Sequence, residues 1–330
     1  MERHAVLVAR AVFDDVLARL QQHFEVLHNQ EDATWSPAQL IESLQGRRGV
    51  FITGTETIDA PLLDACPQLR AVCSMAVGYN NIDLDECTRR GVLVSNAPGV
   101  LTETTADFGF ALMMAAARRI AESEHFLRAG RWQRWGHDMF AGVDVHGATL
   151  GILGIGRIGQ AIARRGALGF DMKVIYHNRS RLDAAVEAAV GASWVDKATL
   201  LRQCDHLVLV LPYSAASHHA IGAAELALMR PTATLTNIAR GGIVDDEALA
   251  DALRERRIAA AGLDVFEGEP ALHPALLALP NVVLTPHIAS ASVPTRRAMA
   301  HLAVDNLIAA LHGSTPPTAL NPRVLPLQLA

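Results

Sequence analysis

Thr149-Leu150-Gly151-Ile152-Leu153-Gly154-Ile155-Gly156-Arg157-Ile158-Gly159-Gln160 is an apolar run whose last three glycines are spaced G-x-G-x-x-G. A dinucleotide pyrophosphate needs a tight turn at the first of these, close backbone approach at the second and close helix–strand packing at the third. The amide N–H groups opening the next helix then face the anion. The context supports this reading. The alternating Ile/Ala segment from Ile158 to Leu168 reads as a helix, and Lys173-Val174-Ile175-Tyr176 completes a strand-turn-helix-strand unit. Gly154, Gly156, Arg157, Ile158 and Gly159 are therefore placed at a nicotinamide or flavin dinucleotide.

The segment after that second strand selects among dinucleotides, because an Asp or Glu there usually accepts from the adenosine ribose of NAD. Here it reads His177-Asn178-Arg179-Ser180-Arg181, without a carboxylate. Two guanidinium groups, with Asn178 and Ser180 beside them, suit a 2′-phosphate held by charge-assisted hydrogen bonds. The expected cofactor is NADP(H), with NAD(H) as the second choice.

Half of the 330 residues are apolar, enough for two compact domains. A formal net charge of −5 with interspersed signs offers no basic stripe, so neither nucleic acid nor a membrane surface is an expected partner. The N-terminus lacks the long apolar region of a signal peptide, and no apolar stretch is long enough to span a bilayer. Cys66, Cys73, Cys87 and Cys204 show no C-x-x-C pairing and read as reduced packing residues, which fits a cytoplasmic protein.

Upstream of the fingerprint, strand-like runs alternate with helical patterns: Val6-Leu7-Val8, Phe24 to Leu27, Gly49 to Ile52, Leu69 to Val72 and Val92-Leu93-Val94. Alternation of this kind predicts a parallel sheet covered by helices. Further runs at His206 to Leu211, Ala233 to Ile238, Ala259 to Val265 and Asn281 to Leu284 extend a second sheet built on the fingerprint. One long helix is expected from 102 to about 128, buried at an interface, and a last one from about Pro294 to His312. The fold class is thus α/β, with two doubly wound parallel-sheet domains. A Rossmann nucleotide-binding domain (99–289) is inserted in a flavodoxin-like substrate-binding domain (1–98 with 290–330).

In open sheets of this type ligands bind beyond the carboxyl ends of the strands. Arg240 follows Leu235-Thr236-Asn237-Ile238-Ala239, Glu269 lies beyond Gly262-Leu263-Asp264-Val265, and His287 closes Leu284-Thr285-Pro286. A fixed cation, a carboxylate and a histidine near a nicotinamide are what reduction of a 2-oxo acid requires. Arg240 binds the substrate carboxylate and polarises the carbonyl, His287 donates the proton, and Glu269 favours and orients the protonated ring. The adjacent His218 and His219 are assigned no metal, since neighbouring side chains in an extended segment diverge and no third ligand has suitable spacing.

These segments resemble the D-isomer-specific 2-hydroxyacid dehydrogenases across essentially the whole chain. Leu150 to Gly159 is similar to that family's fingerprint, Asn237 to Gly242 to its substrate-arginine segment, Ala261 to Pro270 to its glutamate segment and Thr285 to Ile288 to its proton-donor segment. The glyoxylate/hydroxypyruvate reductase and 2-ketogluconate reductase branch, which commonly prefers NADPH, is the most similar. It shares stretches like Ser74 to Asp83 and Ala303 to Leu307. The resemblance implies that Val77 and Gly78 offer backbone groups to the substrate carboxylate and that Asp264 contacts the nicotinamide amide. Pro212, Ile238 and Ser290 are expected along the cofactor as well. It also implies a homodimer in which the 102–150 region embraces the partner, with Trp135 reaching the neighbouring site. Ala289 stands where glycine is more usual. Thr53, Gly54, Tyr79 and Trp135 are candidate walls of the substrate pocket. The competing readings are a dinucleotide-sensing corepressor-like protein and an NAD-dependent formate or phosphite dehydrogenase. The intact trio opposes the first, and Asn178 to Arg181 opposes the second.

Overall fold

Four-residue apolar runs buried on both faces form parallel strands only when helices cover each side. In the computed structural model, which describes residues 3–325, the first sheet holds β1 (Ala5–Val8), the largely exposed edge strand β2 (Glu25–His28), β3 (Gly49–Ile52), β4 (Ala71–Ser74) and β5 (Leu93–Ser95). They pair in parallel in the order β2-β1-β3-β4-β5, the flavodoxin-like arrangement. Val6, Leu7, Val8, Val50, Phe51 and Ile52 are fully buried in its core.

The C-terminal helix Val293–Leu311 returns to this sheet. Gly49 admits it, for a Cβ there would stand 2.8 Å from Leu307 Cδ1. The segment after the helix is fastened by Asn321, whose side chain accepts from Val94 N–H at 2.8 Å and donates to Val92 C=O at 2.9 Å.

The second sheet holds β6 (Thr149–Leu153), β7 (Lys173–His177), β8 (Ala192–Trp194), β9 (His206–Leu209), β10 (Thr234–Asn237), β11 (Ala260–Leu263) and β12 (Val282–Leu284). Its order is β12-β11-β10-β9-β6-β7-β8, all parallel. The order reverses between β6 and β9, so the crevice of this Rossmann sheet opens at the glycine turn that follows β6. β8 was not among the expected strands; three residues at a sheet edge leave no periodicity to read.

The chain divides into two compact units, one up to Leu101 together with the residues from Ala291 onward, the other Thr102–Ser290. The single helix expected from 102 to about 128 is two helices, Thr102–Ala117 and Ile120–Arg128. Arg119 breaks it with a left-handed backbone (φ 52°), held by a forked ion pair to Glu122 at 2.8 and 2.9 Å. The first helix buries Ala106, Phe110, Met113 and Ala117 against its own unit, whereas the second buries no residue. Among the described residues, no helix is long and apolar enough to cross a membrane.

Candidate active site

Each glycine of the fingerprint has its own reason to lack a side chain. Gly154 turns with φ 95°, and a Cβ there would lie 2.6 Å from Leu211 N. At Gly159 a Cβ would stand 2.5 Å from Gly154 C=O, so the helix Arg157–Arg164 touches the turn directly. Gly156, the N-cap of that helix, faces open space and supplies no side chain to the first N–H groups. This uncapped helix start beside an empty Cβ position fits a pyrophosphate.

Downstream of β7, Arg179 and Ser180 are exposed. Arg181 is committed elsewhere: its Nε and Nη2 fork onto Glu187 at 2.9 and 2.7 Å, and Tyr176 Oη donates to the same carboxylate at 2.7 Å. A carboxylate is therefore close to this segment after all, brought back by the helix Ala184–Val190, which the local sequence did not reveal. The bonds from Arg181 and Tyr176 hold the Glu187 carboxyl below the usual range. Trp194 of β8 donates to Asn178 C=O at 3.3 Å.

Arg240 leaves β10 through a turn built by Asn237, whose side chain accepts from Ala239 N–H at 3.0 Å and donates to Arg240 C=O at 3.1 Å. Gly241 follows because its Cβ position is occupied by Phe266 C=O, 1.7 Å away. Burial pulls the partly buried Arg240 guanidinium below its ordinary value, and the charge of Glu269 opposes that. It remains a cation at any physiological pH.

Glu269 and His287 meet. His287 Nδ1 lies 2.9 Å from Glu269 Oε2, and Glu269 Oε1 accepts from Phe266 N–H at 2.8 Å. Burial pushes the Glu269 carboxyl up, but the bonds from His287 and Phe266 and the charges of His287 and Arg240 outweigh it and leave it below the usual range. His287 itself sits in the left-handed region, φ 54°.

The loop that carries His287 is tied to Asp264, at the end of β11. The fully buried Asp264 carboxylate accepts from Thr285 Oγ1 at 2.7 Å and from Ile288 and Ala289 N–H, both at 2.8 Å. Asp264 C=O accepts His287 N–H at 2.9 Å. Burial raises this carboxyl above its ordinary value despite those donors. A positioning role of this kind is absent from the sequence reading, which had Asp264 at the nicotinamide; only the tertiary contact shows it.

Ile238 is buried at the end of β10, Pro212 is exposed after β9, and Ser290 is partly buried beyond the His287 loop. Trp135 is 77% exposed on its loop, near Trp132 in sequence. In the first unit, Val77 and Gly78 lie in the loop after β4, where Asn96 Nδ2 donates to Val77 C=O at 2.7 Å and Ser74 Oγ accepts Ala76 N–H at 3.1 Å. Thr53 and Gly54 follow β3, and Tyr79 is exposed beyond Gly78.

The model of the D-isomer specific 2-hydroxyacid dehydrogenase NAD binding domain matches residues 110–289. This chain belongs to the D-isomer-specific 2-hydroxyacid dehydrogenases. A glyoxylate reductase of Thermococcus onnurineus is 46% identical over 324 residues, which cover 97% of this chain and 96% of that one. Among solved structures, a D-isomer specific 2-hydroxyacid dehydrogenase from Polaromonas superposes with a TM-score of 0.89 at 34% identity, covering 96% of this chain and 99% of its own. An NADPH-dependent glyoxylate/hydroxypyruvate reductase from Sinorhizobium meliloti, in complex with NADP and malonate, does so with a TM-score of 0.85 at 36% identity over 97% and 98% of the two chains. As a family member the chain is an NAD(P)-dependent oxidoreductase with a Rossmann nucleotide domain.

The structure corrects one sequence reading close to this site. The rings of His218 and His219 do not diverge; they stack with centroids 3.9 Å apart and planes at 21°. His219 has φ 49°, a left-handed turn that brings adjacent side chains to one side. A third potential ligand, Glu267, arrives from far along the chain.

Proposed function

We propose that this protein reduces small 2-oxo acids, namely glyoxylate, hydroxypyruvate and 2-ketogluconate, to D-2-hydroxy acids, and that it prefers NADPH to NADH. The observation that carries the reading is the Glu269–His287 pair on a loop fastened to Asp264. A bound reduced nicotinamide supplies the hydride in such a reaction. With Nδ1 engaged by Glu269, the Nε2 side of His287 is left to deliver a proton to the carbonyl oxygen as it gains negative charge. The Arg240 guanidinium binds the substrate carboxylate and stabilises that developing charge.

Asn178, Arg179 and Ser180 directly follow β7 and suit a 2′-phosphate, and the Sinorhizobium relative's complex with NADP supports the NADPH preference. The exposed Trp132 and Trp135 suit a homodimer in which this loop is covered by the second subunit, with Trp135 at its site. Retention of Arg240, Glu269 and His287 favours the enzyme over a dinucleotide-sensing binding protein.

The test is the initial rate of NADPH and, separately, NADH oxidation with each of the three oxo acids. The expected result is turnover with all three and a higher kcat/KM with NADPH. Tight dinucleotide binding without turnover on any of them would overturn the reading.

A further inference from the structure

We propose that His218, His219 and Glu267 form a binding site for a divalent transition-metal ion of the zinc or nickel type, outside the catalytic trio. One ligand atom from each of the three lies within 4.8 Å of the others. His219 Nε2 and Glu267 Oε2 are already 2.9 Å apart. Across a tetrahedral zinc ion with ordinary bond lengths two ligand atoms stand about 3.4 Å apart, so an ion replaces that proton with a small opening of the pair. Rotation of the exposed His218 ring brings in the third ligand, and water completes the set.

Two features show a prepared arrangement. The first is backbone: His219 adopts φ 49°, which side-chained residues seldom do and which persists only where surroundings impose it. Its N–H donates to Gly242 C=O at 2.7 Å, and Ile221 N–H donates to Ile243 C=O at 3.1 Å. Gly242 leaves room for the rings, since a Cβ there would lie 3.1 Å from Tyr213 and 3.4 Å from His218 Nδ1. Glu267 is fastened to the same stretch of chain through its N–H, which donates to Asp246 at 3.1 Å. Both ligand-bearing turns are thus anchored to one segment, 241–246.

The second feature is a carboxylate near the other ring nitrogen, beyond hydrogen-bond distance and within reach of a small ring rotation. His219 Nδ1 faces Asp245 Oδ2 at 3.9 Å, with Nε2 turned to the candidate ion position. Metal-binding histidines commonly have a carboxylate behind them that fixes the tautomer and increases ligand basicity. Imidazole and carboxylate together suit zinc, nickel or copper and do not suit magnesium. The four cysteines are buried and do not compete for the ion. Occupied, the site ties the turn leading to Glu269 onto the His218–His219 turn.

The experiment is competition for Zn2+ and Ni2+ between untagged protein and a chromophoric chelator, repeated on His218→Ala, His219→Asn and Glu267→Gln. Asparagine is chosen at 219 because it tolerates the left-handed backbone. The expected result is one bound equivalent for the parent protein, affinity reduced at least about tenfold in each variant, and no displacement by Mg2+. Zn2+ should also raise the thermal unfolding midpoint of the parent and not that of His218→Ala. Metal-free turnover equal to the parent's shows that the variants are folded. A parent that takes up no ion, or variants that bind as the parent does, would overturn the proposal.

Discussion

Glu269 Oε2 and His287 Nδ1 are 2.9 Å apart, and the other oxygen of the same carboxylate is held by Phe266 N–H. The Glu269 carboxyl lies below its ordinary value of about 4.3, so its stabilising contribution is present above that value and is lost as the pH falls through the lower folded one. Between roughly pH 5 and 8 it is therefore a constant negative charge beside the ring. Glu269→Gln keeps an acceptor for Phe266 but removes the carboxylate that holds and orients the His287 ring. The expected outcome is a kcat for glyoxylate reduction lower by about 10- to 100-fold at neutral pH. Turnover equal to the parent's would refute the assigned role.

In the proposed reaction Asp264 acts through position. Its carboxylate accepts three bonds from the loop that carries His287, and an amide accepts through one oxygen only. Asp264→Asn turns an NH2 toward one loop donor and leaves that buried donor unsatisfied, at about 1–3 kcal/mol. We expect kcat to fall about 10-fold or more while KM changes little, together with a lower unfolding midpoint. Steady-state kinetics beside a thermal melt check both; a change confined to KM would point to substrate contact.

In the proposed reaction Arg240 serves the substrate and not the cofactor, so its variants separate the two. Arg240→Ala should lower kcat/KM by on the order of 10²–10³ or more, as loss of a charge-stabilising donor does. Arg240→Lys should recover only part of this, because an ammonium cannot present the planar fork. Fluorescence titration with NADPH should return the parent's affinity for both variants. Near-normal turnover of the alanine variant would sink the assignment.

The two arginines after β7 read alike in the sequence and have different surroundings in the structure. Arg181 spans Glu187 with both arms, whereas Arg179 is exposed with no ion-pair partner among the described residues. Arg179→Ala should therefore remove most of the preference for NADPH over NADH. Arg181→Ala should mainly lower the unfolding midpoint, because it removes the cation that forks onto the buried Glu187 carboxylate. The ratio of kcat/KM for the two cofactors, measured in each variant, decides between them.

Much of the fold is legible in the sequence because the informative signals are local. Runs such as Gly49 to Ile52 announce buried strands through four adjacent apolar positions, and the fingerprint announces its own turn. Position beyond strands points to Arg240, Glu269 and His287, and the structure brings Glu269 and His287 into contact. What escaped depends on contacts distant in sequence or on backbone states without a residue signature. Arg119 breaks a helix with neither glycine nor proline, through its fork to Glu122. Glu187 returns to Arg181 from the next helix, and the Asp264 clamp exists only when β11 meets the loop after β12. His218 and His219 turn to one side because of a left-handed backbone at a histidine, a state with no residue signature.

Gly156 and Gly159 supply a final test, since the same methyl meets different obstacles at each. At Gly159 it would approach Gly154 C=O to 2.5 Å, a backbone atom that cannot turn aside without undoing the fingerprint. Gly159→Ala should therefore lower the unfolding midpoint and dinucleotide affinity together, with overpacking of about 1–3 kcal/mol as the scale. At Gly156 the methyl would enter open space at the uncapped start of Arg157–Arg164, where the pyrophosphate is expected. Gly156→Ala should fold with the parent's unfolding midpoint and still bind NADPH far more weakly, an outcome that calorimetric titration and a melt read independently. Unchanged affinity in Gly156→Ala would place the phosphates elsewhere.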